Sequence, residues 1–274
     1  MKTVKKKSLL YKSKVEYANF CINHVLGCAH GCTYPCYAMM MAKRFGTIKD
    51  YKDWLEPKLV SNALELLDRE IPKYISQIDF VHLCFTTDPF MYGYSDVEDL
   101  TLRIIKKLNE SKIKTTVLTK GIYPRELTAQ EIYHGNTYGI TLVSLSEDFK
   151  RRFEPFSAPF EDRIEALKYL HEAGLETWAS IEPYPTPNLI EQDFSEILNA
   201  VSFVDKIVFG KLNYNLKAGK SSTDFYERCA STLVTFCNEN DINYHIKNGT
   251  RLKDDRTTTN VLGRGALGLS TKIC

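Results

Sequence analysis

The chain has 274 residues, 43% hydrophobic and 26% charged, which fits one large globular domain or two small ones. Its 36 Lys and Arg nearly balance its 34 Asp and Glu, so the formal charge of +2 gives no argument for a nucleic-acid partner by itself. No apolar run of signal-peptide or membrane-span length follows the basic start MKTVKKKSLL; a cytoplasmic location is expected, where thiols stay reduced and the eight cysteines form no disulfide framework.

In chain order, the first element is a basic arm. Lys2, Lys5, Lys6, Lys7, Lys12 and Lys14 precede the first carboxylate, Glu16, and residues 1–19 are expected to be a poorly ordered tail or an arm that meets nucleic-acid phosphates. From residue 20 to 215 short apolar, β-branched runs alternate with helical ones. YANFCI, IDFVHLCF, KTTVLT, YGITLVS, ETWASI and DKIVFG read as strands covered on both faces, and INYHIK follows further on. Between them, LVSNALELLDREI places Leu59, Ala63, Leu66 and Leu67 on one helical face, and DLTLRIIKKL does the same with Leu100, Ile104, Ile105 and Leu108. Ser95 with Glu98 and Thr128 with Glu131 have capping-box spacing, and Gly174 reads as a helix stop.

This alternation predicts an α/β fold of parallel strands joined by helices: a partial or complete β/α barrel, with a flavodoxin-like open sheet as the competitor. Residues 216–274 hold a helix, a strand and a polar, Gly-containing tail, expected to be a C-terminal α/β extension packed on the barrel.

Just after the first of these strands comes GCAHGCTYPC, where Gly27, Gly31 and Pro35 disfavour a regular helix and leave the cysteines on a loop. Three thiolates within nine residues hold either zinc, with His30 as fourth ligand, or three irons of a [4Fe-4S] cluster with one iron open, unless they are unliganded thiols. The other five cysteines are scattered and form no second CxxC knuckle, which favours the cluster.

NHVLGCAHGCTYPCYA resembles the cluster loop of radical S-adenosylmethionine (SAM) enzymes, in the branch that contains spore photoproduct lyase. KSLL before it, FTTDPF at 85–90, VLTKG at 117–121 and the long segment from 143 to 176 follow in the order of that branch, covering roughly residues 8 to 185. The resemblance implies a partial (β/α)6 barrel over residues 20–215, a [4Fe-4S] cluster on Cys28, Cys32 and Cys36, and SAM on the fourth iron. Cleavage of SAM would give methionine and a 5′-deoxyadenosyl radical that abstracts hydrogen from an unidentified substrate, in an enzyme of lyase or transferase type. Nucleic acid is the first substrate guess, from the lysine arm and the lyase resemblance, and a reductant such as flavodoxin or ferredoxin would supply the electron.

Residue by residue, Lys120 matches a lysine that pairs with the SAM carboxylate, and Ser144 and Thr87 match hydroxyls at the methionyl group. Glu182 is expected at a ribose hydroxyl or a substrate group. The cysteine spacing is one residue longer than usual between Cys32 and Cys36, and Pro35 stands where an aromatic commonly lies near the adenine, so Tyr34 or Tyr37 takes that part. In the lyase a cysteine directly before the triplet that Thr86, Thr87 and Asp88 match returns hydrogen to the product; here that place is Phe85, and Cys84, one residue earlier on a strand, reads as a core residue on the opposite face. That argues against the lyase's own mechanism. His30 is read as loop support, His82 as a core histidine, Glu154 and Arg163 as an ion pair pinning a loop, and Met39, Met40 and Met41 as core filling. Two other classes remain: a non-catalytic zinc or iron-sulfur protein that binds nucleic acid, and a barrel hydrolase using Glu182 and Glu154, which leaves the cysteines unexplained.

Overall fold

A computed structural model describes residues 1–13, 18–215, 218, 223–251 and 259–260. Its strands are β1 (Lys2–Val4), β2 (Leu10–Lys12), β3 (Phe20–Ile22), β4 (Val25–Leu26), β5 (Lys58–Val60), β6 (Phe80–Leu83), β7 (Lys114–Thr119), β8 (Thr137–Thr141), β9 (Glu176–Tyr184), β10 (Lys206–Lys211) and β11 (Asn243–Ile246). The helices are α1 (Tyr37–Arg44), α2 (Tyr51–Trp54), α3 (Ala63–Tyr74), α4 (Ser95–Glu110), α5 (Glu126–Ala129), α6 (Glu147–Phe153), α7 (Phe160–Glu172), α8 (Phe194–Ala200) and α9 (Thr223–Glu239).

An 8-stranded sheet runs β11-β10-β9-β8-β7-β6-β3-β2. From β3 to β11 its strands lie side by side in chain order and all pair parallel. A doubly wound sheet reverses its strand order at a switch point. None occurs here, so the flavodoxin-like competitor falls and the partial barrel stands. Every residue of β8 is buried, as expected of a strand covered on both faces. The outer layer comes from amphipathic helices: α4 buries Val97, Ile104, Ile105 and Leu108, and α3 buries Ala63, Leu66, Leu67 and Ile71.

Several local expectations change. Leu59 lies on β5 rather than on the helix, because residues 58–60 pair with both β1 and β4 in a 3-stranded sheet and α3 begins only at Ala63. Ser95 is inside α4, whose N-cap is Tyr94 without a side-chain bond; Asp96 and Glu98 instead place negative charge in the first turn. Thr128 is likewise inside a short helix and donates back to the Arg125 carbonyl at 2.9 Å. Gly174 takes φ +84 after α7, as a helix stop requires.

The N-terminal stretch is not a loose tail. Leu9 and Leu10 are buried, and the buried Glu70 carboxylate accepts the Leu9 amide at 3.0 Å and the Leu10 amide at 2.7 Å. Lys6 Nζ donates to the Asn23 carbonyl at 3.3 Å, and β1 pairs with β5. Two apolar residues after the lysines are what fold the arm in. Lys14 and Glu16 lie outside the described residues. At the other end β11 pairs with β10, so residues on both sides of position 216 share one sheet; the Gly-containing tail from 254 lies outside the described residues apart from Thr259 and Asn260.

Glu70→Ala should leave two buried amides without their acceptor. The expected outcome is a loss of about 1–3 kcal/mol in urea unfolding, with faster proteolytic cleavage confined to residues 1–13.

Candidate active site around the cysteine loop

The short sheet of β1, β5 and β4 delivers the chain into the cysteine loop, and glycines let it turn. Gly27 takes φ +82, and a Cβ there would meet the Trp54 carbonyl at 2.7 Å. Cys28 N donates to that same carbonyl at 2.9 Å. Gly31 takes φ +68 beneath the Phe156 ring, and the Tyr51 hydroxyl donates to its carbonyl at 2.8 Å. On the other side Thr33 N donates to Phe153 O at 2.9 Å and Thr33 Oγ1 to Arg152 O at 2.7 Å. Cys36 then caps α1. The loop is thus held between α2 and α6, and Cys28, Cys32 and Cys36 all face one cavity of about 500 Å³.

Two buried carboxylates fix the loop to the barrel. Asp88, after β6, accepts from Thr119 Oγ1 at 2.6 Å and from the Lys120 amide at 2.8 Å, and its Oδ2 lies 3.5 Å from His30 Nδ1. The other ring nitrogen of His30 accepts the Tyr92 amide at 3.1 Å. Glu154, after α6, takes the Tyr34 hydroxyl at 2.7 Å, Lys120 Nζ at 3.3 Å and Arg163 Nη2 at 3.2 Å. Burial alone would raise the Glu154 pKa, but Lys120, Arg163 and Tyr34 together hold it at about 2. Lys120 also hydrogen-bonds the Tyr34 hydroxyl and lies 3.7 Å from Cys32 Sγ. Arg163 donates further to the carbonyls of Ala158 and Thr141, which joins α7 to the end of β8.

Of the residues singled out in the sequence, Tyr34, Tyr37, Thr87, Lys120 and Glu182 line the same cavity as the three cysteines. Ser144 does not. Its hydroxyl accepts the Ser146 amide at 3.1 Å in a local turn, and the wall at that level carries Thr141 and Ser180, paired across β8 and β9. Tyr34 is buried, with its ring stacked on Phe149 and its hydroxyl used by Glu154. Tyr37 is half exposed at the mouth and stacks on Tyr214. Thr87 Oγ1 donates to the Val25 carbonyl at 3.1 Å. Met39, Met40 and Met41 are only half-buried; α1 has no fully buried residue, so core filling is not their part.

Cys84 is where strand alternation misleads. β6 ends at Leu83 and Cys84 takes φ +55, so the two-residue period stops before it. It packs on Val25, Met91 and Val97 and is almost wholly buried, as a core cysteine would be, yet it also lines the cavity beside Phe85, with Sγ 3.5 Å from His24 Nδ1. His82 is buried as read, and it too borders the cavity. Asp88 was present in the FTTDPF motif without an assigned part; its role depends on three segments meeting, which spacing does not reveal. Lys211 and Lys247 on the far wall gave no local signal at all.

The donor set suits a multinuclear cluster better than one zinc ion. Both His30 nitrogens are engaged with the protein, which removes the fourth zinc ligand, and among the described residues no three His, Cys, Asp or Glu side chains are grouped to hold a single ion. Burial pushes the Cys28 thiol well above its ordinary value and Cys32 up to about 11, so thiolates there call for a cationic centre.

Residues 22–201 match the model of the Radical SAM superfamily. An uncharacterized protein of Methanocaldococcus jannaschii is 28% identical over 226 residues, 82% of each chain. Among solved structures, a variant of spore photoproduct lyase with bound SAM and dinucleoside spore photoproduct superposes with TM-score 0.59 at 17% identity, over 82% of this chain and 66% of that one. SuiB of Streptococcus suis bound to SAM gives TM-score 0.52 at 15% identity, over 82% and 46%. At such identities the structural likeness speaks for the fold. The chain spans about two thirds of that lyase's length and less than half of SuiB's. No helix among the described residues is long and apolar enough to cross a membrane.

Glu154→Gln would leave Lys120 and Arg163 buried without their counter-charge, at a cost of about 3–5 kcal/mol at pH 7. Because the folded pKa lies below the unfolded one, the carboxylate's contribution is complete above about pH 4.5 and disappears as pH falls to about 2. Urea midpoints of the apoprotein and the variant should therefore converge across that window.

Proposed function

Because the chain belongs to the radical SAM superfamily, we propose that Cys28, Cys32 and Cys36 hold a [4Fe-4S] cluster and that SAM binds beside it in the shared cavity. When bound, this pair supplies a one-electron cleavage of the sulfonium S–C5′ bond, giving methionine and a 5′-deoxyadenosyl radical that takes a hydrogen atom from a substrate C–H bond. The observation that carries the reading is the convergence of the three thiols on one cavity, with His30, the histidine of the loop itself, already committed to Asp88 and Tyr92.

Lys120 is the residue placed for the SAM carboxylate. An ammonium has three donors; Tyr34 and Glu154 take two of them and Cys32 Sγ, at 3.7 Å, the third, and that long contact to sulfur is the one a ligand carboxylate would replace. Glu154 keeps that lysine charged and fixed. Thr87 has spent its proton on Val25, so toward a ligand it accepts. Thr141 and Ser180 take the part expected of Ser144, since they stand on the wall and it does not. Tyr37, rather than the fully engaged Tyr34, is the aromatic at hand for the adenine. Glu182, on β9 with Lys247 at 3.3 Å, belongs to the substrate end. Half-enclosure by the strand ends keeps bulk water from the reacting atoms. A one-electron donor such as flavodoxin or ferredoxin is the partner this chemistry requires.

Anaerobic reconstitution should give a brown protein with about four iron and four sulfide per chain, and dithionite with SAM should release 5′-deoxyadenosine. Cys28→Ala, Cys32→Ala and Cys36→Ala should each abolish both colour and product, whereas Cys229→Ala should retain both. A colourless protein whose zinc content survives these changes would refute the assignment.

A further inference from the structure

The three thiols face the cavity that SAM and substrate share in the reading above, so an electron has to come to them across the other side of their loop. That side is thinly covered. Between Cys28 and Cys32 the backbone carries two aromatic rings, neither of which lines the cavity. Phe156 lies over Gly31 so closely that a Cβ there would meet its ring at 2.7 Å, and its amide donates to the His30 carbonyl at 3.2 Å. Tyr51 donates its hydroxyl to the Gly31 carbonyl at 2.8 Å. Both rings are open to solvent, Phe156 at 59% and Tyr51 at 38%. A protein that touches either of them is separated from Cys32 by one glycine.

The segments that flank the loop are basic. Residues 37–58, which hold α1 and α2, and residues 147–152 of α6 carry eight Lys and Arg against five Asp and Glu. That surplus of three exceeds the +2 of the whole chain, so the rest of the molecule is slightly acidic. The balance is fixed by composition and holds whichever pairs form. Lys52 follows Tyr51 on α2, Arg151 and Arg152 share the one carboxylate of Asp148 at 2.5 and 3.1 Å, and α1 ends on Lys43 and Arg44 with no acid in its first turn. Exposed aromatic rings with arginine near them have the composition of a protein–protein contact. The interspersed carboxylates suit a protein partner of mixed surface charge and repel a continuous chain of phosphates.

We propose that this face, centred on Phe156 and Tyr51 and flanked by Lys52 and Arg151, docks an acidic protein that carries one electron. This deepens the radical SAM reading and rests on it for the cluster. The step is a transfer of one electron: the carrier loses it, the cluster goes from the 2+ to the 1+ state, and no atom moves. Complementary charge of this kind speeds encounter and makes it sensitive to salt. The two rings supply the desolvated centre of the contact, at the point where the loop has no side chain of its own.

Two measurements on the reconstituted protein test it. Calorimetry reads the binding of oxidised flavodoxin and of oxidised ferredoxin, and release of 5′-deoxyadenosine from SAM is compared between the reduced carriers and dithionite, a small reductant that needs no docking face. Lys52→Glu combined with Arg151→Glu should weaken carrier binding about tenfold or more and slow carrier-driven release in parallel, while dithionite-driven release stays within about twofold of the parent. Raising salt from about 50 to about 500 mM should weaken carrier binding to the parent in the same way. Arg103→Glu combined with Lys106→Glu makes the same change of charge on the exposed side of α4 and should alter neither measurement. The proposal is overturned if parent and Lys52/Arg151 double variant bind the carriers alike, if the α4 variant loses as much, or if neither carrier binds the parent. It is overturned too if a ten-residue single strand of thymidylate loses affinity in the Lys52/Arg151 double variant while the carriers do not, which would give the face to nucleic acid. Parent protein that binds a carrier as expected yet releases no 5′-deoxyadenosine with any reductant would remove the radical reading and leave the docking face standing.

Discussion

A carboxylate sealed from water must be matched by positive charge or give up its own, and the structure meets that demand at Glu154 by drawing Lys120, Arg163 and Tyr34 onto it. The four residues come from the end of β7, from α7, from the loop after α6 and from the cysteine loop. Satisfying one buried charge therefore fixes where the thiols stand relative to the barrel. Asp88 does the same from the opposite side, joining His30 to the ends of β6 and β7. Little of this stiffness comes from regular structure, since the loop between Leu26 and Tyr37 has none. It comes from buried charges and amides that satisfy one another.

Much of the scaffold was legible because its strands are short apolar runs separated by strongly periodic helices, and each of those strands appears in the sheet. The two- and three-residue strands β1, β4 and β5 were not. They form by pairing with distant residues, and a stretch such as KLV carries no period of its own. The N-terminal lysines suggested a free arm, but Leu9 and Leu10 behind them are buried, and apolar burial at about 25 cal/mol per Å² outweighs the solvation of lysines that remain at the surface.

At the site, the three cysteines, Lys120, Thr87, Tyr34, Tyr37 and Glu182 were found from the sequence as residues of one cavity. Ser144 was misplaced because a hydroxyl at a strand end serves a local turn as readily as a ligand, and here the Ser146 amide claims it. Cys84 is the buried core residue it was read as, but not for the reason of alternation, which stops at Leu83, so burial did not keep it from the cavity wall. The left-handed turn that ends β6 has no glycine to announce it. Lys211, Lys247 and Asp88 escaped for another reason: their meaning lies in which segments the parallel sheet brings together. From the stretch after position 216, read as an extension packed on the barrel, Lys247 reaches the cavity.

The central claim is that three thiolates leave one corner of a cluster for the cofactor. Electron-nuclear double resonance on the reduced, reconstituted protein, with SAM labelled with ¹⁷O in its carboxylate, measures that corner directly. A hyperfine coupling from the label, together with a shift of the reduced spectrum on adding SAM, is the expected result. A spectrum that SAM leaves unchanged, in protein that contains intact cluster, would contradict it.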